Sequence, residues 1–158
     1  MWGGDFTPQL IELGIPLKSG GRQALLSLLA TATKNRKWVL WVNGHQNISI
    51  YPPAWFAQGI VPSHIVFANS ASPVKEFKQA LLNTLFKLVV IDAAAHQVSN
   101  EECVFLTQQA RAQKKIIVVI RNYFLSNRIG NPWARVRANI NQLELKEEIV
   151  VSVIKGRL

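Results

Sequence analysis

Leu88-Val89-Val90-Ile91-Asp92, the segment Ser99 to Gln113, and Lys115-Ile116-Ile117-Val118-Val119-Ile120 together decide the fold. The first is a β-branched apolar run closed by a carboxylate, the pattern of a strand buried on both faces. Ser99, with Glu102 three residues later, has the spacing of a capping box and predicts a helix reaching about Gln113. The third is a second buried strand. A strand, a helix and another strand need a crossover connection, so the sheet they build should be parallel and covered on both faces.

The same alternation extends upstream. Gln9-Leu10-Ile11-Glu12-Leu13 reads as a first strand closed by Gly14 and Pro16, and Gln23 to Thr33 as a helix with an apolar face of Leu25, Leu26, Leu28 and Leu29. Trp38-Val39-Leu40-Trp41-Val42 is a buried strand ended by Asn43-Gly44. Pro52-Pro53 opens a short helix through Trp55, Phe56 and Ala57, where both aromatics should face the core. His64-Ile65-Val66-Phe67-Ala68 is the next strand, and Ser72-Pro73 caps a helix expected to run to about Phe86. Downstream, Trp133 to Leu145 and Glu148 to Ile154 read as an antiparallel hairpin at the sheet edge, turning near Lys146-Glu147. Residues 1–158 thus form one α/β domain, mainly parallel, whose strand carboxyl ends carry Gly14, Asn43, Asn69, Asp92 and Arg121. Ligands and partners usually meet such sheets at those ends.

Composition narrows the functional classes. With 158 residues and 49% hydrophobic content, the chain can bury a real core. No apolar run approaches the roughly 18–20 residues that cross a bilayer, and the N-terminus lacks the basic and apolar regions of a signal peptide. The single cysteine, Cys103, rules out an internal disulfide framework and reads as a buried small hydrophobe. His45, His64 and His96 share no metal-ligand spacing, so each is expected to stand alone, and no metal or cofactor is called for. These features point to the cytoplasm. The formal charge of +9 suggests a polyanionic or acidic partner. From Arg111 onward stand ten basic residues, against Glu144, Glu147 and Glu148.

A strand, a glycine-bearing loop and a helix open the chain, which is the setting of a phosphate-binding loop of the pattern G-x-x-x-x-G-K-[ST]. The residues present are Gly14-Ile15-Pro16-Leu17-Lys18-Ser19-Gly20-Gly21-Arg22-Gln23. Arg22 replaces the lysine, Gln23 replaces the metal-binding hydroxyl, Pro16 removes a loop N–H, and the glycine spacing is shifted. Asp92 nevertheless ends its strand where a metal-holding acid would sit. The sequence therefore reads as a nucleotide site stripped of its working groups. Residual ATP binding through the Gly20-Gly21 turn and the helix dipole stays open as the alternative.

With these residues in place, the chain resembles the branch of RecA-like proteins without nucleotide chemistry, the SulA cell-division inhibitors and the ImuA proteins of translesion synthesis. The resemblance runs from about Lys37 to Arg137. It is carried by Arg36-Lys37-Trp38-Val39-Leu40-Trp41-Val42, Trp55-Phe56-Ala57-Gln58-Gly59-Ile60, His64-Ile65-Val66-Phe67 and Glu76-Phe77-Lys78-Gln79-Ala80-Leu81-Leu82. The strand Leu88 to Ile91 and the helix–strand pair from Glu101 to Arg121 complete it. Gly20-Gly21-Arg22, the segment Pro132 to Arg137 and Val153-Ile154-Lys155-Gly156-Arg157 resemble ImuA more, whereas the compact length resembles SulA more. The resemblance implies a non-catalytic adaptor of the DNA-damage (SOS) response that contacts RecA or a translesion polymerase component. The SulA-like alternative would bind FtsZ, and a residual RecA-like ATPase with DNA contact is the alternative from another class.

The segment from Arg121 to Arg137 is the candidate partner site. Arg121, Arg128, Arg135 and Arg137 mix there with Tyr123, Phe124 and Trp133. Arginines and large aromatics suit a protein interface and equally phosphate binding with base stacking, and the resemblance allows a DNA-contacting loop here. The bland reading puts Trp133 in the core and Arg135 and Arg137 on the solvent face of an edge strand. Oligomeric state is not set by the sequence.

Overall fold

A computed structural model describes residues 7–94, 96–143 and 148–158. Its seven strands are β1 (Gln9–Gly14), β2 (Trp38–Asn43), β3 (Ile65–Asn69), β4 (Phe86–Asp92), β5 (Ile116–Arg121), β6 (Val136–Leu143) and β7 (Glu148–Lys155). They lie in the order β3-β2-β4-β5-β1-β6-β7. Every pairing is parallel except β6 with β7, which is the antiparallel hairpin expected from the sequence. The expected hairpin turn at Lys146-Glu147 falls outside the described residues.

Five helices cover the two faces. Helices α1 (Ala24–Lys34) and α2 (Pro52–Phe56) pack on one, against Ile11, Leu13, Val39, Trp41, Val90 and Val118. Helices α3 (Pro73–Glu76), α4 (Lys78–Leu82) and α5 (Asn100–Ala112) pack on the other, against Leu10, Leu40, Val89, Ile91, Ile117 and Val119. Alternate residues of each strand feed opposite cores, which is why these runs are apolar throughout. The aromatics Trp41, Trp55 and Phe67 stack edge to face at 4.7 and 5.4 Å, tying α2 to β2 and β3. Ser99 accepts from the Glu102 amide while the Glu102 carboxylate accepts from the Ser99 amide, so the capping box is complete.

Two local expectations are corrected. The single helix from Pro73 to about Phe86 is two short ones, and β4 already begins at Phe86. No side-chain cap from Ser72 forms, because Ser70 and Glu76 bond to each other across the same turn. The first strand of the hairpin begins at Val136 rather than Trp133, since residues 131–134 form a turn closed by the Ala134 amide on Asn131 O.

Lys115 is 1% exposed, and its Nζ donates to the carbonyls of Ala80, Leu81 and Asn83 at 3.2, 3.0 and 2.6 Å. It thereby satisfies carbonyls at the end of α4, where no helical donor remains. The carbonyls favour the ammonium, but burial and then the neighbouring Lys87 charge lower its pKa from 10.5 to about 8. The unfolded chain holds that proton to about pH 10.5, so between those values the unfolded state binds more protons and stability rises with pH. Urea denaturation of the wild type should show this gain from pH 8 to 10 relative to Lys115→Met, with no Lys115-linked slope below pH 8. Parallel pH profiles for the two proteins would contradict it.

Candidate functional site

The loop after β1 is held from within. The Ile15 amide donates to Arg121 O, Leu17 to the Asn122 side chain, Ser19 to Pro16 O, and Gln23 to Gly20 O, with Gly21 reaching Ser19 Oγ at 3.4 Å. In a phosphate cradle these amides would point at an anion; here each has an acceptor already. The glycines serve packing. A Cβ on Gly14 would fall 2.2 Å from Asn139 Oδ1 and 2.7 Å from Tyr123 O, and Gly20 holds φ 68°, a conformation that disfavours side chains. Gln23 lies exposed in the short 3-10 turn Gly21–Gln23.

Arg22 crosses to the end of β4. Its Nε and Nη2 donate to the two oxygens of Asp92 at 2.8 and 3.0 Å, a bidentate pair, and Nη1 donates to Ile15 O at 3.0 Å. His45 Nε2 lies 2.9 Å from the same Asp92 Oδ1 and 3.5 Å from Arg22 Nη2. Asp92 is 4% exposed and His45 7%, so the carboxylate meets two nitrogen donors rather than solvent. The expectation that His45 stands alone is therefore corrected. It follows Asn43-Gly44 at the end of β2, beside β4, and parallel neighbours bring their carboxyl ends together. His64 stacks on Trp38, while His96 lies 3.4 Å from Glu102. Among the described residues no three metal-ligating side chains converge.

A second buried carboxylate, Glu12 on β1, carried no signal in the sequence beyond being an acid inside an apolar strand. It is 1% exposed; Oε1 accepts from Arg121 Nε at 2.9 Å, and Oε2 lies 3.6 Å from Arg137 Nε and accepts from the Asn131 amide. Arg137 Nη2 further donates to Ser126 O and Ile129 O, and the Asn139 amide group pairs with the Leu125 backbone in both directions. These bonds fold the segment after β5 back over the sheet.

The candidate partner residues thus separate into two sets. Arg121 and Arg137 are buried, so in this structure they are internal counter-ions rather than surface groups. For Arg137 this also corrects the edge-strand reading: β6 is flanked by β1 and β7, and Arg137 faces the α5 side of the sheet over Glu12. Tyr123, Phe124, Arg128, Trp133 and Arg135 are exposed, Trp133 at 55% and not in the core. Cys103 is buried as expected, and burial raises its thiol pKa to about 11, far from a nucleophile's.

No protein-family model matches this chain, and no curated protein matches it. Among solved structures it is similar to the flagellar accessory protein FlaH of Methanocaldococcus jannaschii. The TM-score is 0.63 at 10% identity, covering 96% of this chain and 80% of that one. With the strand order above, this likeness makes the fold RecA-like. Among the described residues, no helix is long and apolar enough to cross a membrane.

Glu12→Gln leaves two buried guanidinium groups without a counter-charge and should destabilise the protein by roughly 3–5 kcal/mol. Because Glu12 also binds the Asn131 amide and Arg137 holds Ser126 and Ile129, trypsin should cut after Arg128 faster than in the wild type under native conditions. Unchanged melting and unchanged cleavage would refute the assigned role.

Proposed function

We propose that this protein is a RecA-like binding module without turnover, an adaptor of the ImuA type in the DNA-damage response. It would contact RecA or a translesion polymerase component. The observation that carries the non-catalytic part is the bidentate Arg22–Asp92 pair, closed by His45. A Walker-type acid works by holding Mg²⁺, and a lysine before it reaches the terminal phosphates. Here the acid is spent on an arginine of the same loop, and the amides of Ile15, Leu17, Ser19, Gly21 and Gln23 already have acceptors within the protein. Hydrolysis then has neither a metal seat nor a phosphate cradle.

The binding part rests on the segment after β5. Tyr123, Phe124, Ile129 and Trp133 are all large, apolar and exposed within eleven residues, with Arg128 and Arg135 among them. Aromatics and arginine are the usual anchors of a protein interface. The internal bonds from Glu12, Arg137 and Asn139 hold that segment in place, so little ordering is left to be done on binding. A partner surface that is rigid and offers a slot for an aromatic ring, with acidic groups beside it, would match.

The test is capture by the immobilised full-length protein from purified RecA, a Y-family polymerase and FtsZ, assayed alongside ATP turnover. The expected result is capture of RecA or the polymerase, weakened tenfold or more by Phe124→Ala or Trp133→Ala, which is about 1.4 kcal/mol or more at a hot spot. ATP turnover should stay at the level of buffer. Capture of FtsZ alone would turn the reading to the SulA type, and ATP turnover abolished by Asp92→Asn would replace it with an ATPase.

A further inference from the structure

The described acids of this domain are sorted along the strand axis, while its cations stand at both ends. Among the described residues, Glu76, Asp92, Glu101, Glu102 and Glu148 all lie toward the end where the parallel strands finish, and Glu12 is buried within the sheet. The opposite end, where β1 to β6 begin, holds no described acid. It carries exposed cations instead: Lys34 and Arg36 before β2, Arg111 and Lys114 before β5, Arg135 before β6 and Arg157 after β7. None of these six takes part in an ion pair with a described residue.

A second, independent feature falls in the same place. Helices α1 and α5 both end in a Schellman motif. Lys37 N–H reaches Ala32 O and Arg36 N–H reaches Thr33 O; Lys115 N–H reaches Ala110 O and Lys114 N–H reaches Arg111 O. The residue at the turn of such a motif is left-handed and is usually glycine. Here those residues are Arg36, at φ 56°, and Lys114, at φ 49°. The modest gain of a cation at a helix C-terminus is already supplied from the last turn by Lys34 and Arg111, whereas glycine would adopt the left-handed conformation without strain. Strain of this kind, repeated at two helix ends on one face, points to a use for the side chains.

We propose that this end of the sheet is a docking face for the phosphate backbone of a DNA duplex, bound without regard to sequence. The cations span the starts of strands from β2 to β7, five intervals of the seven-stranded sheet, or about 24 Å at about 4.8 Å each. A duplex presents one charge per about 1.7 Å of its axis, so a row of that length meets many phosphates. Single strands are held by stacking aromatics, and the exposed Tyr123 and Phe124 follow the carboxyl end of β5, at the opposite end of the domain. The face is distinct from the Arg22–Asp92 site and shares only Arg135 with the segment after β5, and its assignment does not depend on the adaptor reading.

The test is fluorescence anisotropy with a labelled duplex of random sequence, using the full chain across a salt series. The wild type should bind saturably at low salt, with affinity falling linearly in log–log form. The double variant Arg36→Gly/Lys114→Gly should bind about tenfold or more weakly, with a salt slope reduced by about two, since each phosphate contact contributes about 0.9. The same variant should melt a few degrees higher than wild type because strain is relieved, which separates lost binding from lost folding. Arg135→Gln/Arg157→Gln, which touches neither helix end, should weaken binding likewise, and Lys18→Gln, at the carboxyl end, should not. The proposal is overturned if the wild type fails to bind duplex at low salt, or if both double variants bind as wild type does. Equal affinity for polyglutamate would overturn it too, and assign the face to an acidic protein.

Discussion

A carboxylate taken out of water must be met by a cation or by hydrogen-bond donors, and Asp92 is met by both Arg22 and His45. The layout of the nucleotide end of this domain follows from that requirement. For Arg22 to reach Asp92, the loop after β1 must curl so that its guanidinium also caps Ile15 O. The curl uses the amides of Ile15, Leu17 and Ser19 within the protein. Gly14 and Gly20 are then needed for close approach and for a left-handed turn rather than for phosphate. In the proposed reading, this ion pair stands where a nucleotide's metal would be held.

The same rule governs the interior of β1. Glu12 is neutralised by Arg121 and Arg137, and Arg137 in turn fastens the segment that follows β5. Removing either carboxylate would therefore leave stranded cations and loosened loops together. What remains exposed after these pairs are made includes the aromatic- and arginine-bearing segment after β5 and a row of cations where the parallel strands begin. The division gives one small domain two separate surfaces with different chemistry.

The parallel sheet was legible because its strands are buried on both faces and so read as unbroken apolar runs, as in Leu88 to Ile91 and Ile116 to Ile120. The α5 start was legible because a capping box is local. The helix expected across Pro73 to Phe86 was not, because Trp38 of β2 draws Phe86 into β4 pairing and shortens it from outside the segment. At the site, Arg22 and Gln23 were visible as departures from a spacing pattern, but the partner of Arg22 lies seventy residues away and carries no local mark. Arg121 and Arg137 looked like surface groups because composition cannot tell an arginine facing solvent from one facing Glu12.

The central claim is that the Arg22–Asp92 pair occupies the position of nucleotide and metal, and calorimetric titration of the wild-type protein with Mg-ATP tests it most directly. The account predicts no saturable heat up to millimolar nucleotide, since the acid and five of the loop amides are already bonded. Saturable Mg-ATP binding, with a stoichiometry near one and Arg22 in place, would contradict it.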